Sequence, residues 1–183
     1  MIITRASLAD LPRLRQFRLE AAAWLSARGS DQWSTPYPDE LLAESVMAGD
    51  VYLLKDSATS EATATVTLDS TADPALWTDE EAREPALYVH KLTLAAPGAG
   101  GGLGARLLDW CGDQAARRGA VLLRLDAWTT NASLHTYYRR LGFEHIRTVH
   151  GPGTYGSGWL AQRPAALAAV PEFDFIETPA DIA

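Results

Sequence analysis

The sequence predicts an α/β protein in which a mixed sheet of about seven strands carries helices on its faces. Short runs with alternating polarity indicate strands, and longer stretches with apolar residues at helical spacing indicate helices. Two neighbouring strands, at 51–55 and 62–68, precede a strand–helix–strand unit that lies between 87 and 127. This combination of consecutive strands and a strand–helix–strand unit predicts the mixed sheet.

The first part of the chain is predicted to fold in the order strand, helix, helix, strand, strand. Ser7 or Asp10 is suited to cap the first helix, and Gly49 ends the second. The predicted elements are a strand at 2–4, a helix from about 11 to 27, a helix at 39–48, and strands at 51–55 and 62–68.

The second part is predicted to alternate strands and helices before closing with two strands. Its elements are a strand at 87–94, a helix at 104–118, a strand at 121–127, a helix at 131–141, and strands at 143–149 and 158–162. We therefore expect one domain over 1–163. Residues 164–183 are expected to form an acidic tail that is extended or disordered, unless Phe173, Phe175 and Ile176 dock on the body or on a partner subunit.

Two irregular segments interrupt this pattern. Residues 28–38 are rich in turn formers and carry Trp33 and Tyr37, and residues 69–85 are acidic and carry Trp77. The second segment is too long for a plain connection, and loops of that length are often lids or binding loops.

Composition excludes several classes of function. A chain of 183 residues suits one domain, and its net charge of −7 argues against general nucleic-acid binding. Cys111 is the only cysteine, which excludes a disulfide framework, and its helical context predicts a buried apolar role. No apolar run spans a membrane and the first residues lack a signal-peptide layout, so we expect a cytoplasmic protein without membrane contact. The histidines show no metal-ligand spacing, so no metal is expected.

A glycine-rich turn joins the strand at 87–94 to the helix at 104–118. Residues 98–104 contain five glycines, which allow unusual backbone angles and close approach of the main chain to a ligand. At a helix N-terminus, unpaired N–H groups and the helix dipole favour phosphate. The turn lacks the lysine of a nucleotide-triphosphate loop and the context of a dinucleotide fold. It therefore predicts a different phosphate-bearing cofactor, the alternative being a flexible linker.

Two motifs together resemble the GNAT superfamily of N-acetyltransferases. Residues 99–104 resemble its Q/R-x-x-G-x-G/A signature, with Gly102 and Gly104 in place and Ala99 where the family has Gln or Arg. Residues 131–143 resemble its N-x6-Y-x3-G-F pattern, which covers Asn131, Tyr138, Gly142 and Phe143. The resemblance covers about residues 1–163 and implies the GNAT fold with acetyl-CoA as cofactor.

The resemblance also implies which residues hold acetyl-CoA. The backbone of one strand segment is expected to face the pantetheine arm, the glycine turn to cradle the pyrophosphate, and one asparagine to bond the cofactor arm or a bound water. In that order, these residues are Leu92, Thr93 and Leu94; Gly100, Gly101, Gly102, Leu103, Gly104 and Ala105; and Asn131.

The expected chemistry is direct attack of an amine on the thioester. A backbone N–H near residues 92–94 would polarise the carbonyl, and Tyr138 would protonate the leaving thiolate. Tyr137 is the alternative at the sulfur, because helical neighbours point about 100° apart. His90, at the strand position where the family often has an acidic or histidine side chain, is the candidate base, unless it is structural or faces solvent. Glu84 and Asp126 are second choices.

The acceptor is expected to be a primary amine of a small molecule, such as an antibiotic or other specialised metabolite. Trp33, Tyr37 and Trp77 lie in the segments that flank the acceptor side in this family, and with Asp31 or Glu84 nearby they would suit a cationic amine. Glu84 and Asp126 are also candidate substrate contacts, the alternative being that each is a surface charge. The open alternative is that these aromatics anchor their loops. Rival functions are acetylation of a protein N-terminus or lysine, and a non-catalytic acyl-CoA-binding module. The resemblance also allows a homodimer.

Overall fold

A computed structural model describes residues 1–95, 101–151 and 153–176 of the chain. Within these ranges the protein has five α-helices, a short 3-10 turn at Leu8–Asp10 and eight strands of a mixed sheet, which confirms the predicted α/β class with one strand more than expected. The chain divides into two compact units. The first holds described residues of 1–67, 91–101 and 170–183, and the second holds those of 68–90 and 102–169.

The first unit contains the first two strands of the chain, most of the third, one strand from the tail and two helices. Its elements are β1 (Ile2–Arg5), α1 (Leu11–Ser26), α2 (Asp39–Met47), β2 (Val51–Lys55), β3 (Ala62–Asp69) and β8 (Asp174–Ile176). Strand β2 pairs antiparallel with both β1 and β3. The connection between β2 and β3 is short, as antiparallel neighbours allow. The β3 residues Leu68 and Asp69 belong to the second unit.

Helix α1 packs through one apolar face. Leu14, Phe17 and Ala21 are buried at a spacing that places them on the same side of the helix. Leu14 and Phe17 form a cluster with Val46 of α2 and Val51 of β2. Just before α1, the Asp10 carboxylate accepts hydrogen bonds from the N–H and the hydroxyl of Ser7, each at 2.8 Å.

The acidic tail contributes the eighth strand. Strand β8 pairs parallel with β1, and the N-terminal amine of Met1 donates to the carbonyl of Glu172 at 2.9 Å. Phe173 is buried, and the ring of Phe175 lies 5.9 Å from that of Tyr52. The docking alternative is therefore correct for residues 173–176, because two aromatic rings gain burial there. Residues 177–183 lie outside the described residues.

The second unit contains the strand–helix–strand segment and the remaining elements. These are α3 (Asp79–Ala82), most of β4 (Ala86–Leu94), α4 (Leu103–Arg117), β5 (Leu122–Ala127), α5 (Ala132–Arg140), β6 (Glu144–Thr148) and β7 (Trp159–Pro164). Strand β4 pairs parallel with β5, and β7 pairs antiparallel with both β5 and β6. The β4 residues from Lys91 onward belong to the first unit.

Helix α4 is the amphipathic helix of the second unit. Leu107, Leu108, Trp110 and Cys111 are buried on its inner side. Burial raises the pKa of the Cys111 thiol to about 12, so the sulfur stays protonated and unreactive. This confirms the predicted apolar role of the cysteine.

Two arginines fasten the long acidic segment at 69–85. Arg147 donates to both carboxylate oxygens of Glu81, at 2.5 and 2.7 Å, and to the carbonyl of Leu76 at 2.6 Å. The hydrogen bond from Arg147 is the main reason why the pKa of Glu81 falls to about 2. Arg124 is buried and donates to the carbonyl of Glu81 at 2.6 Å. The segment is thus an anchored connection that contains α3, and not an open lid.

Candidate active site

The ladder between β4 and β5 positions the first two site residues. It runs from Ala86 opposite Leu122 to Val89 opposite Leu125. His90 and Asp126 are the next residue of each strand. Because side chains alternate along a strand, these two side chains leave the sheet on the same face. The parallel register therefore brings a histidine and a carboxylate together where the ladder ends.

His90 lies between two carboxylates. Its Nδ1 is 3.2 Å from Asp126 Oδ1, and its Nε2 is 3.5 Å from Asp69 Oδ2, at the end of β3. Burial by itself lowers the pKa of this imidazole, but hydrogen bonds and charge from Asp126 and Asp69 outweigh it and raise the pKa to about 9. His90 is therefore an imidazolium at neutral pH and releases its proton only in alkaline solution.

Tyr138 is the second titratable side chain near Asp126. Its ring packs edge-on against Phe143 at 5.7 Å and parallel to Trp159 at 6.3 Å. Burial raises the pKa of the Tyr138 phenol above its ordinary value, and the nearby Tyr137 and Asp126 add to the rise. The hydroxyl thus keeps its proton through neutral pH. Asp126 acts on both His90 and Tyr138, so one carboxylate links the candidate base and the candidate acid.

The neighbouring Tyr137 has a different environment. Its side chain is 37% exposed, and its ring is tilted against that of Tyr138 at 5.7 Å. Partial burial is the main reason why the pKa of Tyr137 is raised. The preference for Tyr138 as the acid stays a prediction.

Asn131 caps helix α5. Its Oδ1 accepts a hydrogen bond from the N–H of Leu134 at 3.0 Å, which satisfies one of the first-turn donors of the helix. This structural role was missed in the sequence, although asparagine before a helix is a recognised capping signal. Its predicted contact with the cofactor arm remains a prediction.

Helix α4 begins where the glycine turn ends. Gly101 and Gly102 have φ angles of +75° and +66°, a region that favours glycine, and Gly102 is the N-cap of α4. The first-turn N–H groups of Leu103, Gly104 and Ala105 have no partner within an α-helix. Main-chain donors at the positive end of a 15-residue helix fit the pyrophosphate of acetyl-CoA. Gly100 and Ala99 lie outside the described residues.

The segment after His90 contains a conformation that the sequence did not reveal. Lys91 has a φ of +53°, which is rare for a residue other than glycine and costs about 1–2 kcal/mol. The hydroxyl of Thr93 donates to the carbonyl of Lys91 at 3.0 Å, and Thr93 is buried. This unusual backbone conformation therefore lies directly before the predicted pantetheine-binding residues Leu92, Thr93 and Leu94.

A cavity of about 220 Å³ lies within the first unit. Helix α1, the segment at 28–38 and strands β2 to β4 line it, and its walls are largely apolar. The predicted substrate residues Trp33 and Tyr37 are among the lining side chains. The guanidinium of Arg18 lies 4.6 Å from the ring centre of Trp33, and Lys91 Nζ lies 4.3 Å from that of Tyr37.

Trp77 and Glu84, the other predicted acceptor residues, fasten the protein together. Trp77 is only 3% exposed and packs edge-on against Tyr88 at 5.5 Å. The guanidinium of Arg124 lies 4.9 Å from its ring centre. Glu84 accepts a hydrogen bond from Arg124. Trp77 therefore has the anchoring role that the sequence left as the alternative for the aromatic residues, Glu84 is paired with Arg124, and Asp126 is paired with His90.

Neither a membrane helix nor a metal cluster is found in the described ranges. No helix there is long and apolar enough to span a bilayer. No three His, Cys, Asp or Glu side chains there gather as a metal ion requires.

Comparison with known proteins identifies the family. Residues 18–143 match the model of the acetyltransferase (GNAT) family. The chain is 32% identical over 143 residues to the uncharacterized N-acetyltransferase YesJ of Bacillus subtilis (strain 168), which covers 75% of this chain and 78% of that protein. The chain therefore belongs to the GNAT family and is an acetyltransferase with acetyl-CoA as its cofactor, as the sequence predicted.

Solved structures share the fold. A GNAT-family acetyltransferase from Listeria monocytogenes 4b F2365 has a TM-score of 0.74 at 21% identity, over 88% of this chain and 93% of that one. The PaiA N-acetyltransferase of Thermoplasma acidophilum, solved in complex with coenzyme A, has a TM-score of 0.66 at 18% identity, over 88% of this chain and 97% of that one.

Proposed function

We propose that this protein transfers the acetyl group of acetyl-CoA to a primary amine of a small molecule. The cavity of about 220 Å³ in the first unit supports a small acceptor, because pockets for drug-sized ligands are about 300–1,000 Å³. Bound acetyl-CoA supplies an activated acetyl group as a thioester.

Main-chain groups are proposed to hold the cofactor. The N–H groups of Leu103, Gly104 and Ala105 would bind pyrophosphate oxygens, since they begin a long helix after two glycines in the left-handed region. Backbone groups of residues 92–94 would bind the pantetheine arm. Because these donors belong to the main chain, the departure at Ala99 is expected to weaken binding without abolishing it.

Tyr138 is proposed as the general acid. Its raised pKa ensures that the hydroxyl carries a proton at neutral pH, whereas a thiol has an ordinary pKa of about 8.5. The phenol is therefore a weaker acid than the thiol it would protonate. We expect Tyr138 to donate a hydrogen bond first and to release its proton only as negative charge builds on the sulfur.

His90 is proposed as the base that accepts the amine proton. An alkylammonium has a reference pKa of about 10.4, and the flanking carboxylates bring the pKa of His90 to about 9. Proton transfer from the acceptor is thus much less uphill than it would be to an imidazole with a pKa of 6.5. Because of this raised pKa, His90 is deprotonated and able to act as a base only near and above pH 9, so activity should rise in alkaline solution. Asp69 and Asp126 are positioning residues in this scheme.

The observation that carries the proposal is the link through Asp126. Asp126 lies 3.2 Å from the candidate base and adds, after burial and Tyr137, to the raised pKa of the candidate acid, so one carboxylate acts on both proton-transfer groups. Clusters that perturb the pKa values of several groups are typical of active sites.

The test is a screen of small amines and short peptides with acetyl-CoA, read out as free thiol. Tyr138→Phe should lower kcat by about a hundredfold or more, the usual contribution of a general acid. Tyr155→Phe is the matched control, because Tyr155 is 88% exposed. Full turnover by Tyr138→Phe would refute its role as acid. Acetylation of peptides alone would refute the small-molecule acceptor.

A further inference from the structure

The cavity of the first unit gathers positive charge. Among the described residues that line it, three are cationic, Arg15, Arg18 and Lys91, and one carries a carboxylate, Asp39. Asp39 accepts a hydrogen bond from Arg15 Nε at 2.8 Å, so this carboxylate is already paired. Arg18 and Lys91 are left to determine the charge that the cavity presents to a ligand.

Arg18 has a buried donor without a partner. Its Nη2 donates to the carbonyl of Thr35 at 3.3 Å, but its Nε is buried and makes no hydrogen bond to any described residue. Burial lowers the pKa of this guanidinium, although arginine still stays charged in proteins. A buried donor of a charged group is costly to leave unpaired. Because Nε has almost no accessible surface, a ligand in the cavity would meet the charge of Arg18 at the part of the guanidinium that lines the cavity wall.

Lys91 brings the second charge through its unusual backbone. Its φ of +53° falls inside β4, directly after His90, and its Nζ lies over the ring of Tyr37 at 4.3 Å. Within the described ranges, no carboxylate lies at ion-pair distance from this ammonium group. The strained backbone thus places an unpaired cation at the cavity wall.

The aromatic walls are already covered by these cations. Arg18 lies over Trp33 at 4.6 Å and Lys91 lies over Tyr37. The sequence predicted that Trp33 and Tyr37 would receive a cationic substrate, but the protein's own cations occupy positions over both rings. A ligand here is expected to bring an anionic group to Arg18 and Lys91 and an apolar body to the rest of the cavity.

We propose that the acceptor amine, on the function proposed above, also carries a carboxylate that Arg18 and Lys91 bind in this cavity. The substrate class is therefore amino acids and related amino carboxylates with an apolar side chain. A carboxylate suits a guanidinium because its two oxygens match the planar fork of donors.

The first experiment measures binding without turnover. Isothermal titration would compare a panel of aryl and alkyl carboxylates that lack an amine, such as 3-phenylpropanoate, with the corresponding neutral amides. We expect at least one carboxylate to bind at least tenfold more tightly than its amide. Arg18→Gln should weaken that carboxylate by about tenfold to a hundredfold and leave the amide unchanged.

The control variant is Arg28→Gln. Arg28 also covers a tryptophan, with its guanidinium 3.8 Å from the ring centre of Trp24, but it does not line the cavity. The variant Arg28→Gln should therefore bind the carboxylate as tightly as the wild type does. Lys91→Met provides a second test if Arg18→Gln melts at a lower temperature. Equal binding of carboxylates and amides by the wild type, or no binding of either, would overturn the proposal.

The second experiment compares acetylation of amino acids with that of their amides. We expect kcat/KM to favour the amino acid at least tenfold in the wild type and to lose this preference in Arg18→Gln. Carboxylate binding without acetylation of any amine would refute the proposed function and leave the carboxylate site standing. Efficient acetylation of amines with no preference for a carboxylate would refute this inference alone.

Discussion

The His90 cluster predicts how the stability of the protein depends on pH. The variant His90→Gln removes the imidazolium that lies between Asp69 and Asp126. Folding raises the pKa of His90 from 6.5 to about 9, and at about 1.4 kcal/mol per unit this corresponds to about 3 kcal/mol of stability. Because the pKa is raised, this stability is fully present below pH 6.5 and is lost as the pH rises through 9.

The assay is urea unfolding of the wild type and of His90→Gln at a series of pH values from 6 to 10. We expect the wild type to be more stable at pH 6 by an amount that shrinks by about 3 kcal/mol toward pH 10. The ring proton signals of His90, assigned by comparison with the variant, should titrate near pH 9. A stability difference that stays flat or grows with pH, or a titration near 6.5, would refute the assignment of His90 as an imidazolium.

Two further predictions concern catalysis and cofactor binding. In the variant Asp69→Asn the pKa of His90 should fall, because one of the two flanking carboxylates is lost. The rise of kcat/KM with pH should therefore begin at a lower pH than in the wild type. If the pH profile of kcat/KM is unchanged, His90 is not the base. Gly102→Ala and Gly119→Ala both place a side chain at a positive φ, of +66° and +79°, and each should cost about 1–2 kcal/mol in urea unfolding. Only Gly102→Ala should also weaken coenzyme A binding in isothermal titration, because Gly119 lies beyond the other end of α4. If both variants bind coenzyme A equally well, the proposed pyrophosphate site is wrong.

Local patterns in the sequence were sufficient to predict most of the fold. The strand at 51–55 has the predicted bounds, and the other predicted elements differ by one or two residues at their ends. Strand β8 was missed because its acidic surroundings are typical of a disordered tail. Its pairing depends on β1, which lies about 170 residues earlier, and on burial of Phe173. The residues around 174–176 therefore carry no local pattern that indicates a strand.

Some features of the candidate site were also predicted from the sequence, and others are visible only in the structure. His90 and Asp126 were separate candidates from the sequence, and the parallel register of β4 and β5 is what brings them together. Asp69 lies on the third strand, and nothing in the sequence indicates that it faces His90. The positive φ of Lys91 also left no signal, because lysine does not mark that conformation as glycine would. Contacts between distant segments determine the charge of the histidine.

The net charge of the chain and the charge around the cavity have opposite signs. A net charge of −7 creates a negative field, which raises the local concentration of amines. That field describes the surface as a whole, whereas a ligand in a partly desolvated cavity interacts most strongly with the charges that line it. Among the described residues that line this cavity, the only carboxylate is paired with Arg15, and the remaining cations are Arg18 and Lys91. On the inference drawn above, the sign of this local charge and not the net charge determines which amines are acetylated.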